Sequence, residues 1–217
     1  MTLRRLLTRL ALLVLVAGCA AKAPDYQSLL PPSSPNTATP SAERPVPIAD
    51  YLQEQGVKGA PMTRATLTDI KVSMPCPPGW SVINDPKQQA TFEVIRKTNV
   101  DAYQPTAMLM VFKLIGNFDV AEAIRHGYAD AELTDRFTRL NASMAAFRGM
   151  PSAMIEGSYN IGEQRLHTYN RIVIATGPAP ANQRYLVQFS VTTAADQAES
   201  LGADVESIIK GLTVAPA

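Results

Sequence analysis

The 217-residue sequence is poor in cysteine, histidine and net charge, and each shortage excludes something. There are two cysteines, Cys19 and Cys76, and once Cys19 is taken up in the N-terminal signature described below, Cys76 has no partner for an intrachain disulfide. Cys76 sits among prolines with no neighbouring His or carboxylate to activate it, and reads as an unreactive turn thiol. The two histidines, His126 and His167, stand at no metal-ligand spacing from another His, Cys or carboxylate pair, so neither a structural metal nor a cofactor is expected. No Gly-x-Ser-x-Gly elbow, phosphate loop or Gly-x-Gly-x-x-Gly occurs, which leaves hydrolase and nucleotide chemistry without support. The reading is therefore of a protein that is not an enzyme. Asp130, Glu132 and Asp135 form a small acidic group, but without the glycine and spacing of a calcium loop they read as a solvated helix end. Lys and Arg number 20 against 19 Asp and Glu; without residues 1–18, which carry Arg4, Arg5 and Arg9, the balance is 17 against 19. That supplies neither the basic stripe needed for nucleic acid nor a polybasic membrane patch.

A long hydrophobic run is missing as well. The apolar stretch from Leu10 to Gly18 would make a helix of about 14 Å, against a hydrocarbon core of roughly 30 Å, so it cannot span a membrane. It follows three arginines and ends in Val16-Ala17-Gly18-Cys19, the arrangement of a secretory signal closed by a lipobox. Small residues at 17 and 18 admit a peptidase before Cys19, and the thiolate of Cys19 is the nucleophile that takes a diacylglyceryl group. Residues 1–18 are thus expected to be a lipoprotein signal peptide and Cys19 the lipidation site. A two-chain anchor holds stably, at about 0.8 kcal/mol per buried methylene. The expected location is the outer face of the cell membrane.

Residues 19–47 read as a linker. Seven of the 17 prolines fall between Ala20 and Pro47, among six Ser and Thr, a composition too poor in apolar surface to offset its ordering entropy. The 28 residues from Ala20 to Pro47 reach on the order of 30 Å as a coil. Residues 48–217 are long enough for one domain. A short amphipathic helix is expected over Ile48 to Gln55, stopped by Gly56, and a half-buried strand over Leu67 to Met74, ended by Pro75. Pro77-Pro78-Gly79-Trp80 makes a rigid turn that places the lone tryptophan in the core. Thr91 to Lys97 reads as a strand and Asn99 to Thr106 as a polar loop. Met108 to Ile115 is almost continuously apolar, as in a central strand covered on both faces. Asp119 caps a helix with Val120, Ile124, Tyr128 and Ala131 on its buried stripe. Strands are expected over Phe137–Phe147, Ser152–Tyr159, Gln164–Thr176 and Gln183–Val191, and a last helix over Ala194–Lys210, capped by Thr193. The fold class is α+β, a mostly antiparallel sheet flanked by helices on both faces.

Most of the aromatics, Trp80, Phe92, Tyr128, Phe137, Phe147, Tyr159 and Tyr169, are expected in the core. Tyr103 and Phe118 flank loops around the central strand and are the candidates for a ligand-binding cleft. His126 is expected on the solvent-leaning side of its helix, and His167 on a strand beside Tyr169.

The lipobox, the Pro/Ser/Thr linker, Ile48-Ala49-Asp50-Tyr51 running to Gly56, and Met74-Pro75 leading into Pro77-Pro78-Gly79-Trp80 together resemble the mycobacterial LpqN/LpqT lipoproteins. The likeness covers essentially the whole chain, and Cys76 falls where a small or apolar residue is the norm. The resemblance implies a PsbP-type fold and a role in cell-envelope biogenesis, through binding of mycolyl glycolipids or assistance to their exporters. It implies no catalytic residue. Two readings follow: a membrane-anchored protein that captures an apolar or glycolipid ligand between sheet and helix, or an adaptor that binds an envelope protein through an exposed surface. An enzyme, third, requires a polar constellation assembled only by the fold, for example His167 meeting a carboxylate and a hydroxyl in a cleft.

Overall fold

The computed structural model describes residues 44–83, 92–100 and 103–217. The signal peptide, Cys19 and the linker up to residue 43 lie outside the described residues, as do Thr91 and Asp101.

Helix α1 (Ile48–Glu54) buries Ile48, Tyr51 and Leu52, one face at i, i+3 and i+4, and stops at Gly56, whose φ of +73° is left-handed. After it come β1 (Lys58–Pro61), β2 (Ile70–Ser73), β3 (Trp80–Val82), β4 (Glu93–Lys97) and β5 (Thr106–Ile115). Asp119 accepts from the Glu122 amide at 3.0 Å and starts α2 (Val120–Arg125), as expected. The helix read as continuous to Ala131 is broken by a 3-10 turn, His126–Tyr128, before α3 (Ala129–Glu132). Then follow β6 (Thr138–Ser143), β7 (Ser152–Ile161), β8 (Gln164–Thr176), β9 (Arg184–Ala194), α4 (Gly202–Gly211) and β10 (Thr213–Pro216).

Strands run antiparallel in the order β3-β4-β5-β9-β8-β7-β6, with β1 continuing the β4 edge along β5. A separate pair, β2 with β10, packs with α4 on one face of this sheet around Ile70, Val72, Ile208, Leu212 and Val214. The other face carries α1 and α2 over Leu114, Leu186, Ile172 and Ile174. The sheet therefore lies between helices on both sides, the α+β arrangement expected from sequence. Each fully buried Ile or Leu, Ile208 and Ile174 among them, contributes about 1.5–3 kcal/mol.

Several boundaries differ from the sequence reading. Thr193 is not a helix cap: the β8–β9 ladder runs on to Leu166 opposite Ala194, and α4 starts only at Gly202. The segment 137–147 shortens to β6, with a register shift between Arg139 and Asn141. Strands β1, β3 and β10 were not expected at all.

Candidate functional site

The sheet face beneath α1 and α2 changes chemistry row by row along its strands. Phe112, Leu186 and Ile174 form one row, roofed by α1 and α2. The next row is Met110, Gln188, Ile172 and Ala153, and the next Met108, Ser190, Asn170 and Ile155. After these come Thr106, Thr192, Thr168 and Gly157. The hydroxyls of Thr168 and Thr192 lie 3.3 Å apart, which places them on one side. Helical cover is thus densest over the apolar rows, while Gln188, Ser190, Asn170 and Thr192 stay half-buried. Beyond them stand two tyrosines. The Tyr159 phenol is near Thr192 and Tyr103, and the Tyr103 phenol is near Thr106. Burial pushes both phenols up, Tyr159 to about 12.

A cleft opens where the roof ends, between the His126–Glu132 segment and the sheet, lined by Met110, Gly127, Asp130, Gln188 and Ser190. The segment sits so low that a Cβ on Gly127 would come within 2.5 Å of Ala153 Cβ. The cleft holds about 20 Å³. That admits about one water and is far below the roughly 300 Å³ of a small-molecule pocket. This cleft by itself has no room for the acyl chain whose capture between sheet and helix is expected from sequence.

Tyr103 and Phe118 are not brought together. They flank opposite ends of β5, whose ten residues span roughly 33 Å, and only Tyr103 reaches the polar rows. Phe118 packs at the edge of the α1–α2 core, with the Arg184 guanidinium 5.1 Å from its ring and donating to its carbonyl at 3.1 Å. His126 is not solvent-leaning: it stacks on Tyr51 with ring centroids 4.5 Å apart, and its Nδ1 is 3.0 Å from the Val46 carbonyl, where the chain enters the domain. His167 does meet a carboxylate, with Nε2 3.1 Å from Glu156 Oε1. The hydroxyl opposite it in the ladder, Ser158, accepts from Arg165 at 2.6 Å and is committed to holding that edge. Asp130 is buried, whereas Glu132 pairs with Arg139, so the acidic group does not converge. Among the described residues no group of three or more His, Cys, Asp or Glu is placed to hold a metal ion. Cys76 is exposed and unpaired, with partial desolvation and the nearby Glu93 charge raising the thiol above its ordinary value.

The residues missed from sequence are the polar ones inside the sheet. Thr168, Asn170, Gln188, Ser190 and Thr192 alternate with apolar neighbours, which reads as a solvated side until the helices are seen to cover part of it. Tyr159 was grouped with the core.

Residues 44–215 match the family described as "Probable lipoprotein LpqN". The chain belongs to the LpqN lipoprotein family. LpqT of Mycobacterium tuberculosis is 50% identical over 200 residues, covering 91% of this chain and 87% of LpqT. The "Proline-rich 28 kDa antigen" of the same species is 40% identical over 168 residues, covering 77% of this chain and 53% of the antigen. The crystal structure of LpqN, described as involved in cell envelope biogenesis of Mycobacterium tuberculosis, superposes with a TM-score of 0.69 at 18% identity, over 79% of this chain and 98% of that one. This last likeness is one of fold. No helix among the described residues is long and apolar enough to cross a membrane.

Proposed function

We propose that this LpqN-family lipoprotein is a non-catalytic accessory of cell-envelope biogenesis. It is held on the outer face of the membrane by a diacylglyceryl group on Cys19, and it engages the sugar head of an envelope glycolipid on its half-open sheet face. The observation that carries the reading is the run of half-buried uncharged hydroxyl and amide side chains, Thr106 and Thr192 next to Tyr103 and Tyr159, then Ser190 and Gln188 in the following rows. Where helices cover part of a sheet face, uncharged polar groups beyond the cover stay open to hydrogen-bond a ligand. Such groups both donate and accept, as sugar hydroxyls do, and tyrosine rings offer a flat apolar surface to a pyranose. The acyl chain stays outside the domain, because the cleft has no volume for it. A linker reaching on the order of 30 Å lets the face meet lipid leaving the same membrane.

Titration of the mature protein with a short-chain trehalose ester tests this. Saturable binding with a raised melting temperature, weakened about tenfold by Thr192→Val, is the expected result. No binding and no thermal shift removes the glycolipid reading. The small cleft favours a second reading, an adaptor whose partner is an envelope protein lying on the same face. In that case Thr192→Val leaves sugar-ester titrations flat in both proteins while weakening partner capture.

A further inference from the structure

The threonine row ends on a positive charge. Arg96 stands directly across from Thr106 in the β4–β5 register. Its neighbours Ile95 and Lys97 belong to the opposite side, Ile95 in the core beneath α4 and Lys97 bonded to Asp204 of α4. Alternation therefore turns Arg96 toward Thr106, Thr192 and Thr168. The side chain is half-buried, and its Nε is shielded from solvent yet hydrogen-bonds to nothing. Among the described residues no carboxylate lies within ion-pair distance of it. A buried guanidinium N–H almost always has an acceptor, and none of the described residues supplies one to this nitrogen.

The surroundings define what that acceptor is. Tyr103 lies close enough to feel the Arg96 charge, and the hydroxyls of Thr106, Thr192 and Thr168 follow in the same row, the last two 3.3 Å apart. A guanidinium fork matches carboxylate and phosphate alike, and the hydroxyls around it supply further donors that the three terminal oxygens of a phosphate monoester can take up. One row further on, about 7 Å along the strands, Ser190 provides for a hydroxyl-bearing ring attached to it. We propose that this face takes a sugar phosphate, with Arg96 pairing the phosphate and the serine and threonine hydroxyls holding the sugar. The assignment rests on the reading of the same face as a sugar site, and specifies that its ligand is anionic. The phosphate source is a lipid head group or a soluble sugar phosphate.

The test uses the mature full-length chain in detergent, titrated with glucose 6-phosphate and with glucose. Vesicles of phosphatidylcholine with and without phosphatidylinositol form a second arm. Wild type is expected to bind glucose 6-phosphate at least tenfold more tightly than glucose, with the preference falling as salt rises. Arg96→Gln should reduce the preference to under about twofold while glucose affinity and the melting temperature stay put, and Arg96→Lys should restore part of it. Equal affinity for both sugars in wild type, or an undiminished preference in Arg96→Gln, overturns the anion assignment and leaves the sugar face standing. Absence of binding to either sugar overturns both. Arg96-dependent retention on phosphatidylinositol vesicles assigns the phosphate to a head group; preference for glucose 6-phosphate without such retention assigns it to a soluble ester, and either result supports the site.

Discussion

Trp80 donates its indole N–H to Asp204 Oδ2 at 2.9 Å, so the residue that ends the Pro-Pro-Gly turn is bonded to the first turn of α4. Lys97 reaches the same oxygen at 2.7 Å. These two bonds, Lys97 first, hold the Asp204 carboxyl below the ordinary carboxylate range. Asp204→Asn is expected to destabilise the domain by about 1–2 kcal/mol, the scale of a charge-assisted bond discounted for partial exposure. A depressed folded pKa makes this contribution present above the unfolded value near 3.9 and lost as pH falls through the lower folded value. Urea unfolding of wild type and Asp204→Asn at pH 7 and below pH 3 checks both points: the difference should shrink in acid.

Gly127 is where the helical roof touches the sheet, and a methyl there meets Ala153. Gly127→Ala should cost about 1–3 kcal/mol through overpacking, and Gly127→Ala with Ala153→Gly should recover most of it. Denaturant midpoints of the three variants decide; an additive double variant removes the contact from the account.

Alkaline stability depends on two phenols. Tyr159 and Tyr185 are both pushed up to about 12, chiefly by burial, Tyr185 also by its hydrogen bond to Asp69. Raised folded values mean their contribution is complete below the unfolded value near 10 and is lost as pH climbs toward about 12. The unfolding free energy should fall over that window by up to about 1.4 kcal/mol per pH unit for each tyrosine. Tyr159→Phe and Tyr185→Phe should each flatten one share, with 295 nm absorbance locating the ionisations.

Long elements with a single strong pattern were legible from sequence. The apolar run of β5, the Asp119 cap and the alternation of β9 all appear where their periodicity puts them. Strands β1 and β10 escaped because each has only four residues and includes a proline, Pro61 and Pro216, which argues against a strand. Thr193 misled because a threonine before a helical pattern looks like a cap, whereas cross-strand pairing with His167 keeps it in the ladder. The candidate face was half visible. Gln188, Ser190 and Thr192 show their alternation in sequence, but that α1 and α2 roof only the apolar end is a matter of tertiary packing. Arg96 gave no signal, since the lack of an acceptor for its Nε among the described residues is a matter of tertiary placement.

Everything proposed for this domain places it at a membrane through Cys19. The direct measurement is detergent phase partitioning of the native protein and of Cys19→Ser, with intact mass of each. The expected result is a wild-type chain that starts at residue 19, carries a diacylglyceryl mass and enters the detergent phase, while Cys19→Ser stays aqueous with no lipid mass. If the two proteins partition alike and neither carries lipid, the anchor is wrong and the function built on it fails.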